Sequence, residues 1–246
     1  MFPIHDDNPT LGRSAVTLAI IGLNVASWVI VQGLGSEPAL ARSVCELGAV
    51  PGELLGTLRP GTSIPLGPGI ACVIEGHASW LTVLTSMFLH GGWLHLIGNM
   101  WFLWVFGNNV EDVMNPLHFA LFYLLCGFAA VAAQMVANPL SPYPMVGASG
   151  AIGGVMGAYA RLYPRARVHL VVILVFYITR IVVPAWLMLG YWLLLQLLGG
   201  LPALGSAGAG VAFWAHVGGF MTGMLLVRAF ADPRRLAAHR ALVRWS

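Results

Sequence analysis

Long apolar runs broken by short polar punctuation dominate this chain. Six of them predict membrane helices at roughly 14–32, 93–108, 117–137, 147–163, 181–199 and 209–230. At about 1.5 Å per residue, such runs match or approach a hydrocarbon core of roughly 30 Å. The first, Ser14 to Val31, carries no charge and ends without a small-residue cleavage site, so it reads as a retained span rather than a signal peptide. Between Arg167 and Arg180 lies a shorter apolar piece, Val168 to Thr179. Too short to cross and held by arginine at both ends, it is expected to be interfacial or re-entrant. Residues 33–92 form one long loop whose Pro, Gly and Glu content forbids a span. Its apolar patch of Leu47, Val50, Leu54 and Leu55 is expected to rest on the membrane surface. The pattern predicts an all-α polytopic bundle of six helices over 14–230, with a short segment 1–13 before it and a basic tail 231–246 after it.

Composition sharpens this picture. Hydrophobic residues make up 58% and charged residues 9% of the 246 positions, against about 25% charged in soluble domains. Mean hydropathy is +0.81. This argues against a soluble domain, and a disordered chain is excluded. All twelve basic residues are arginine, and their placement orients the bundle. With the N-terminus in the cytoplasm, Arg13, Arg161, Arg165, Arg167, Arg180, Arg228, Arg234, Arg235, Arg240 and Arg244 are cytoplasmic. Only Arg42 and Arg59 lie outside. Arginines placed this way mark topology, not nucleic-acid binding. Both termini are therefore expected in the cytoplasm, and the bacterial inner (plasma) membrane is the expected location.

Polar side chains at membrane depth are costly and mark function by default. His95 and Asn99 lie in the second run, Ser149 opens the fourth and His216 lies in the sixth. All three runs pass from outside to inside, so these residues share one depth near the outer surface. Gly153 and Gly157 follow Ser149 at i+4 and i+8, Gly219 and Gly223 follow His216 at i+3 and i+7, and Gly150 pairs with Gly154. Such stripes let helix backbones approach closely, which would bring the hydroxyl to the imidazole. A serine needs a base, and His216 can serve. No Asp or Glu lies inside any run, so the pattern allows a Ser–His dyad and no acid-completed triad. Ser149 also starts its helix after Gly147. Its N–H is an unpaired helix-terminal donor, and His95 and Asn99 can add side-chain donors to an oxyanion hole. Taken singly, each of these residues reads as a polar packing contact. Their joint depth and facing raise the functional reading.

The motifs resemble those of the rhomboid family of intramembrane serine proteases. Gly147-Ala148-Ser149-Gly150 looks like the family's nucleophile motif, Ala215-His216 through Gly223 like its base motif, and His95 through Asn99, preceded by His90-Gly91-Gly92-Trp93, like its oxyanion motif. The resemblance covers residues 80–230. It implies six helices, a water-filled cavity open to the outside and cleavage of transmembrane segments of other proteins. Three departures stand out. Trp80 lacks the arginine that follows it in many members. Gly98 stands where a bulky residue flanks the asparagine, which would widen substrate access. Gly153 replaces an aromatic that stacks on the histidine, so other packing must hold the imidazole.

The functional expectation is an intramembrane serine endopeptidase that needs no metal or other cofactor. Its partners would be transmembrane protein substrates and the lipid bilayer, with no nucleic acid. The alternative is a catalytically inactive binder of transmembrane helices, which loss of the serine or the histidine would mark; both are present. A haem or metal redox protein would need paired histidines, and none accompanies His216 in its run. A transporter would need charges lining the spans. His5, His77, His118, His169 and His239 read as solvent-facing or interfacial, and Trp101, Trp104, Trp186, Trp192 and Trp214 as packing or belt residues. Cys45 and Cys72 share the outside loop, 27 residues apart, and are candidates for a disulfide; the other possibility is two free thiols.

Overall fold

The computed structural model describes residues 2–67, 69–76, 79–174, 177–204 and 210–243. His77, Arg244 and position 209, where the sixth run begins, lie outside the described residues. The elements in order are β1 (Phe2–Asp6), α1 (Ala15–Ile30), α2 (Ala39–Leu47), α3 (Pro51–Leu54), β2 (Ser63–Gly67), β3 (Ile70–Val73), α4 (Thr82–Thr85), α5 (Trp93–Asp112), α6 (Pro116–Ala137), α7 (Ser149–Leu162), β4 (Arg167–Leu174), β5 (Tyr177–Pro184), α8 (Ala185–Gly200), α9 (Phe213–Phe230) and α10 (Pro233–Val243).

α7 is the hub. Apart from its last three residues, Ala160, Arg161 and Leu162, and its first, Ser149, it is buried throughout. Its glycines make this possible. A methyl added at Gly219 would overlap the Gly150 carbonyl, and one at Gly223 would overlap the Gly154 carbonyl. α9 therefore rides on α7 backbone to backbone. The other side of α7 meets α6, where Ala130 covers Gly150 and Cys126 covers Gly154. Outside this core the bundle is apolar to its surface: Ile30, Leu94, Val136 and Leu225 are all largely exposed, as a lipid-facing surface requires. Among the described helices, α6, with 22 residues and a mean hydropathy of 2.0, is long and apolar enough to cross a membrane by length and composition; α1 and α8 are apolar but shorter. The 14 residues of α7 extend only about 21 Å.

The chain is not all-α. Val168 to Thr179, expected to be interfacial or re-entrant, belongs to an antiparallel hairpin of β4 and β5, onto which β1 adds as a third strand in the order β1-β4-β5. Val, Ile and Leu at alternate positions favour a pleated ribbon, and the arginines that bound the segment sit on the strands themselves. The fifth run consequently starts its helix at Ala185 rather than 181. β1 is anchored to the bundle. The Trp101 indole N–H donates to the Pro3 carbonyl, and the Tyr159 hydroxyl of α7 donates to the Asp6 carboxylate. Burial pushes the Asp6 carboxyl up to about 6, against the lowering effect of that hydrogen bond.

The long loop is folded as well. Val50 packs with Ile64, Cys72 and Ile74. Leu54 joins Ala49, Val131 and Met135, against α6. Val50 and Leu54 are thus buried in protein rather than resting on a membrane surface, and of that patch only Leu55 is exposed. A second, two-stranded sheet pairs β2 with β3. A disulfide ties Cys45 of α2 to Cys72 of β3, with a Cα–Cα distance of 5.4 Å.

α5 runs past 108 to Asp112 because its last turn holds the start of α1. Glu111 Oε1 accepts from Val16 N–H at 2.9 Å, and its Oε2 accepts from Thr17 N–H and Oγ1–H, both at 2.7 Å. Asp112 accepts from Leu11 N–H at 2.6 Å. Carboxylates at a helix N-terminus satisfy orphan donors and oppose the macrodipole. His239 of α10, expected at the surface, is buried. Its Nε2–H donates to the Pro9 carbonyl at 2.8 Å, and its ring lies 4.7 Å from that of Tyr163.

Candidate active site

Ser149 is the first residue of α7 and His216 lies one turn into α9. The close glycine contact of those helices brings the side chains together, with Ser149 Oγ 2.7 Å from His216 Nε2. The other ring nitrogen, Nδ1, is 2.8 Å from Gln196 Oε1 of α8. The Gln196 amide is itself oriented, because its Nε2 donates to the Trp192 carbonyl at 3.2 Å. That leaves Oε1 as the acceptor for the imidazole. Nδ1 then carries the proton, and Nε2 keeps the lone pair that can accept from the serine hydroxyl. Ser149, His216 and Gln196 thus form a hydrogen-bonded row of three side chains.

The ring of His216 also has a hydrophobic support. Trp192 lies 5.8 Å away, tilted by 38°, and continues to Phe220 at 6.0 Å. A methyl at Gly153 would come within 3.0 Å of the His216 carbonyl and 3.7 Å of the Trp192 ring. With glycine at 153, the indole from α8 can close over the histidine.

On the opposite side of Ser149 lie His95 and Asn99 of α5. The Gly91 N–H donates to His95 Nδ1 at 3.3 Å, so in the neutral ring Nε2 carries the hydrogen and is available as a donor. The segment that fixes this tautomer is clamped in turn. His90 N–H donates to Gln32 Oε1 and Gln32 Nε2 donates to the His90 carbonyl, each at 2.8 Å. Gly147 has φ of +130°, and a Cβ there would sit 2.8 Å from His95 Nε2 and 3.5 Å from Ser149 Oγ. Glycine therefore serves two needs: it takes a conformation that side chains disfavour, and it leaves a space open between imidazole and hydroxyl. The Asn99 amide nitrogen is buried without a hydrogen-bond partner among the described residues. An unpaired buried donor is costly unless something else uses it. Ser149, His216, His95 and Asn99 all line one cavity of about 560 Å³, together with Gln134 and Trp192.

Gln196, Gln134 and Gln32 are not among the residues that the sequence pattern marks as candidates. The signal was present, since each is a polar side chain inside or at the end of an apolar run. Gln134 accepts from the Ala215 N–H at the start of α9 at 3.3 Å. Asn24, another polar residue in a run, donates to its own helix at Ile20 O, 2.8 Å away.

A serine hydroxyl bonded to an oriented imidazole, with donors across a cavity, is the equipment of a serine hydrolase within a helical bundle. The rhomboid domain profile matches residues 77–232, more than half of the chain. The chain belongs to the rhomboid family, whose members are helical integral-membrane proteins. It is similar to Rhomboid protease GluP of Bacillus subtilis, 43% identical over 79 residues, which are 32% of this chain and 15% of that protein. RHOMBOID-like protein 4 of Arabidopsis thaliana is 32% identical over 162 residues, 65% of this chain and 36% of that protein. RHOMBOID-like protein 6, mitochondrial, of the same plant is 36% identical over 88 residues, 35% of this chain and 27% of that protein. The chain thus spans well under half the length of these curated relatives.

Proposed function

We propose that this protein is an intramembrane serine endopeptidase that cuts transmembrane segments of other membrane proteins. The observation that carries the reading is the 2.7 Å contact between Ser149 Oγ and His216 Nε2 inside a cavity that also holds His95 and Asn99. In this reading α1, α5, α6, α7, α8 and α9 are the six spans, with both termini in the cytoplasm. The length of α7 supports it. If the Arg161 end of α7 lies at the cytoplasmic interface, a helix of about 21 Å in a core of roughly 30 Å leaves Ser149 some 10 Å below the outer surface. Water then reaches the serine through the cavity.

The chemistry follows from the geometry. His216 Nε2 takes the proton as Ser149 Oγ attacks the scissile carbonyl. The developing oxyanion lies in the space that Gly147 leaves open, within reach of the Ser149 N–H, His95 Nε2–H and the Asn99 amide. Gln196 Oε1 holds the Nδ1–H of the imidazolium. Collapse of the tetrahedral intermediate breaks the peptide C–N bond, and Nε2 returns its proton to the leaving amine. Water then attacks the acyl-enzyme by the same route in reverse. Of the curated relatives, GluP is named a rhomboid protease.

The test is purified protein in detergent or liposomes with a model transmembrane substrate and a fluorophosphonate probe. Cleavage and labelling by the parent, both absent in Ser149→Ala with the fold intact, are the expected result. Cleavage by pure Ser149→Ala would refute the assignment. A parent that binds substrate and neither cleaves nor labels would be an inactive helix binder.

A further inference from the structure

We propose that His5, Asp7 and His169 form a binding site for one Zn²⁺ ion, which staples β1 to β4 at the end of the bundle away from Ser149. His5 and Asp7 are two apart on β1 and its extension, so they project from one face of the strand. His169 is directly opposite His5 in the antiparallel register. One nitrogen of each imidazole and one oxygen of the carboxylate lie within 4.8 Å of one another. The two rings stack at 4.1 Å with 24° between their planes, which holds the imidazoles side by side.

The neighbouring bonds prepare each ligand atom. His5 Nδ1 is 3.2 Å from the Asp6 carbonyl. A carbonyl only accepts, so Nδ1 carries the proton and Nε2 keeps its lone pair. His169 Nε2 already meets Asp7 Oδ1 at 2.8 Å, and a metal ion would replace the proton they share. Arg167 Nε holds the other carboxylate oxygen, Oδ2, at 3.4 Å, so Oδ1 faces the imidazoles. Metal ligands are commonly oriented by such second partners. Tetrahedral zinc with bonds of about 2.0–2.1 Å needs ligand atoms roughly 3.4 Å apart. The three atoms must therefore close by at most about 1.4 Å, within the reach of exposed side chains. Two imidazoles and one carboxylate suit zinc and its neighbours in the first transition row better than magnesium or calcium. Among the described residues the Arg167 guanidinium pairs with the carboxylate, and its side chain is 69% exposed, so it can turn to solvent as the ion enters.

The position gives the ion a consequence. The next residue, Asp6, bonds Tyr159 of the Ser149 helix, and Pro3 bonds Trp101 of the His95 helix. Zinc would pin the strand that touches the Ser149 helix near its far end and the His95 helix at its middle.

The experiment uses the full chain as Ser149→Ala, without a polyhistidine tag, dialysed against ZnCl₂ in detergent. One zinc per chain is expected, falling to none in His5→Gln/His169→Gln. Asp6 and Tyr159 are untouched in that variant, so the strand remains docked, and circular dichroism checks the fold. With free zinc at ten times Kd, amide exchange over residues 2–7 should slow about tenfold in the parent only. Absence of bound zinc in the parent, or equal binding by the double variant, would overturn the proposal.

Discussion

Gln196 offers the sharpest perturbation of the proposed mechanism. Its Oε1 receives the Nδ1–H of His216 at 2.8 Å, and the amide is locked by its own bond to the Trp192 carbonyl. Gln196→Met keeps length and volume at a buried position while removing the acceptor. Two losses follow. A hydrogen bond to a neutral partner contributes about 0.5–1.5 kcal/mol, and one to a charged partner about 1.5–3 kcal/mol. The imidazole is neutral in the resting enzyme and charged in the transition state, so the differential loss is about 1–1.5 kcal/mol, or roughly tenfold in kcat. The freed ring can also carry its proton on Nε2, where it cannot accept from Ser149, and this raises the expected loss to between about tenfold and a hundredfold. KM should stay within about twofold, because Gln196 does not touch the substrate. Gln196→Glu restores an oxygen in the same place but buries a carboxylate, so any turnover it recovers should come with a loss of stability. The assay is steady-state cleavage of a fluorogenic transmembrane substrate. A Gln196→Met enzyme with unchanged kcat, or a deficit carried by KM, would remove Gln196 from the mechanism.

Asn99→Ala should lower kcat by about 10–100-fold with little change in KM. That is below the 10²–10³ usual for a lost oxyanion donor, because His95 and the Ser149 N–H remain; an unchanged rate would exclude Asn99. Its stability should hold, since the amide nitrogen has no partner to lose among the described residues. Asp6 has its carboxyl raised to about 6 by burial. The folded state then binds a proton more tightly than the unfolded one, so stability should fall as pH rises from about 4 to about 6 and level off above. Asp6→Asn still accepts from Tyr159 and should flatten that profile and gain on the order of 2–3 kcal/mol at pH 7, read by chemical denaturation. Reduction of Cys45–Cys72, which closes a loop of 27 residues, should cost about 3 kcal/mol in thermal stability. Alkylation of both thiols without reduction would show that no such bond forms.

The helices were legible because their signal is local and strong. Uninterrupted apolar runs placed α1, α6 and α9 to within a few residues, and glycines at i+4 and i+7 spacing marked the faces on which α7 and α9 meet. The hairpin of β4 and β5 was not legible as strand. Twelve apolar residues between arginines fit an interfacial helix as well as a ribbon, and the deciding partner, β1, lies some 160 positions away in a stretch that reads as an irregular leader. The true end of α5 was hidden for a related reason: Glu111 and Asp112 look like interfacial acids until the start of α1 comes to rest on them. In the site, motif spacing picked out Ser149, His216, His95 and Asn99. Gln196 was not legible because no acid lies in the runs, so the pattern allowed only a Ser–His dyad, and a neutral amide inside an apolar run reads as a packing contact.

An amide rather than an acid beside His216 has a physical reason. A carboxylate opposite His216 would have to be buried among Trp192, Phe220 and glycine backbone, at a depth where an isolated charge costs several kcal/mol. The opposing charge exists only in the transition state, so the resting enzyme would carry an unpaired buried anion. A neutral amide avoids that cost and still performs the geometric part of the task. It selects the tautomer, fixes the ring plane and keeps accepting the Nδ1–H hydrogen bond when charge develops on the ring. What it gives up is part of the electrostatic stabilisation of the imidazolium. Packing can recover some of it: the indole face of Trp192 lies 5.8 Å from the ring, within the range in which an aromatic face attracts a cation. Trp192 and Gln196 are four apart on α8, so one helix face supplies both the acceptor and the aromatic support. The glycine at 153 follows from the same division of labour. An aromatic side chain on α7 would occupy the space the indole fills, so support for the histidine comes from α8 and α7 is left free to close on α9. Exchanging the two solutions should therefore fail unless both positions change together. Gly153→Tyr alone collides with the His216 backbone and the indole, whereas Gly153→Tyr with Trp192→Ala should regain part of the lost turnover.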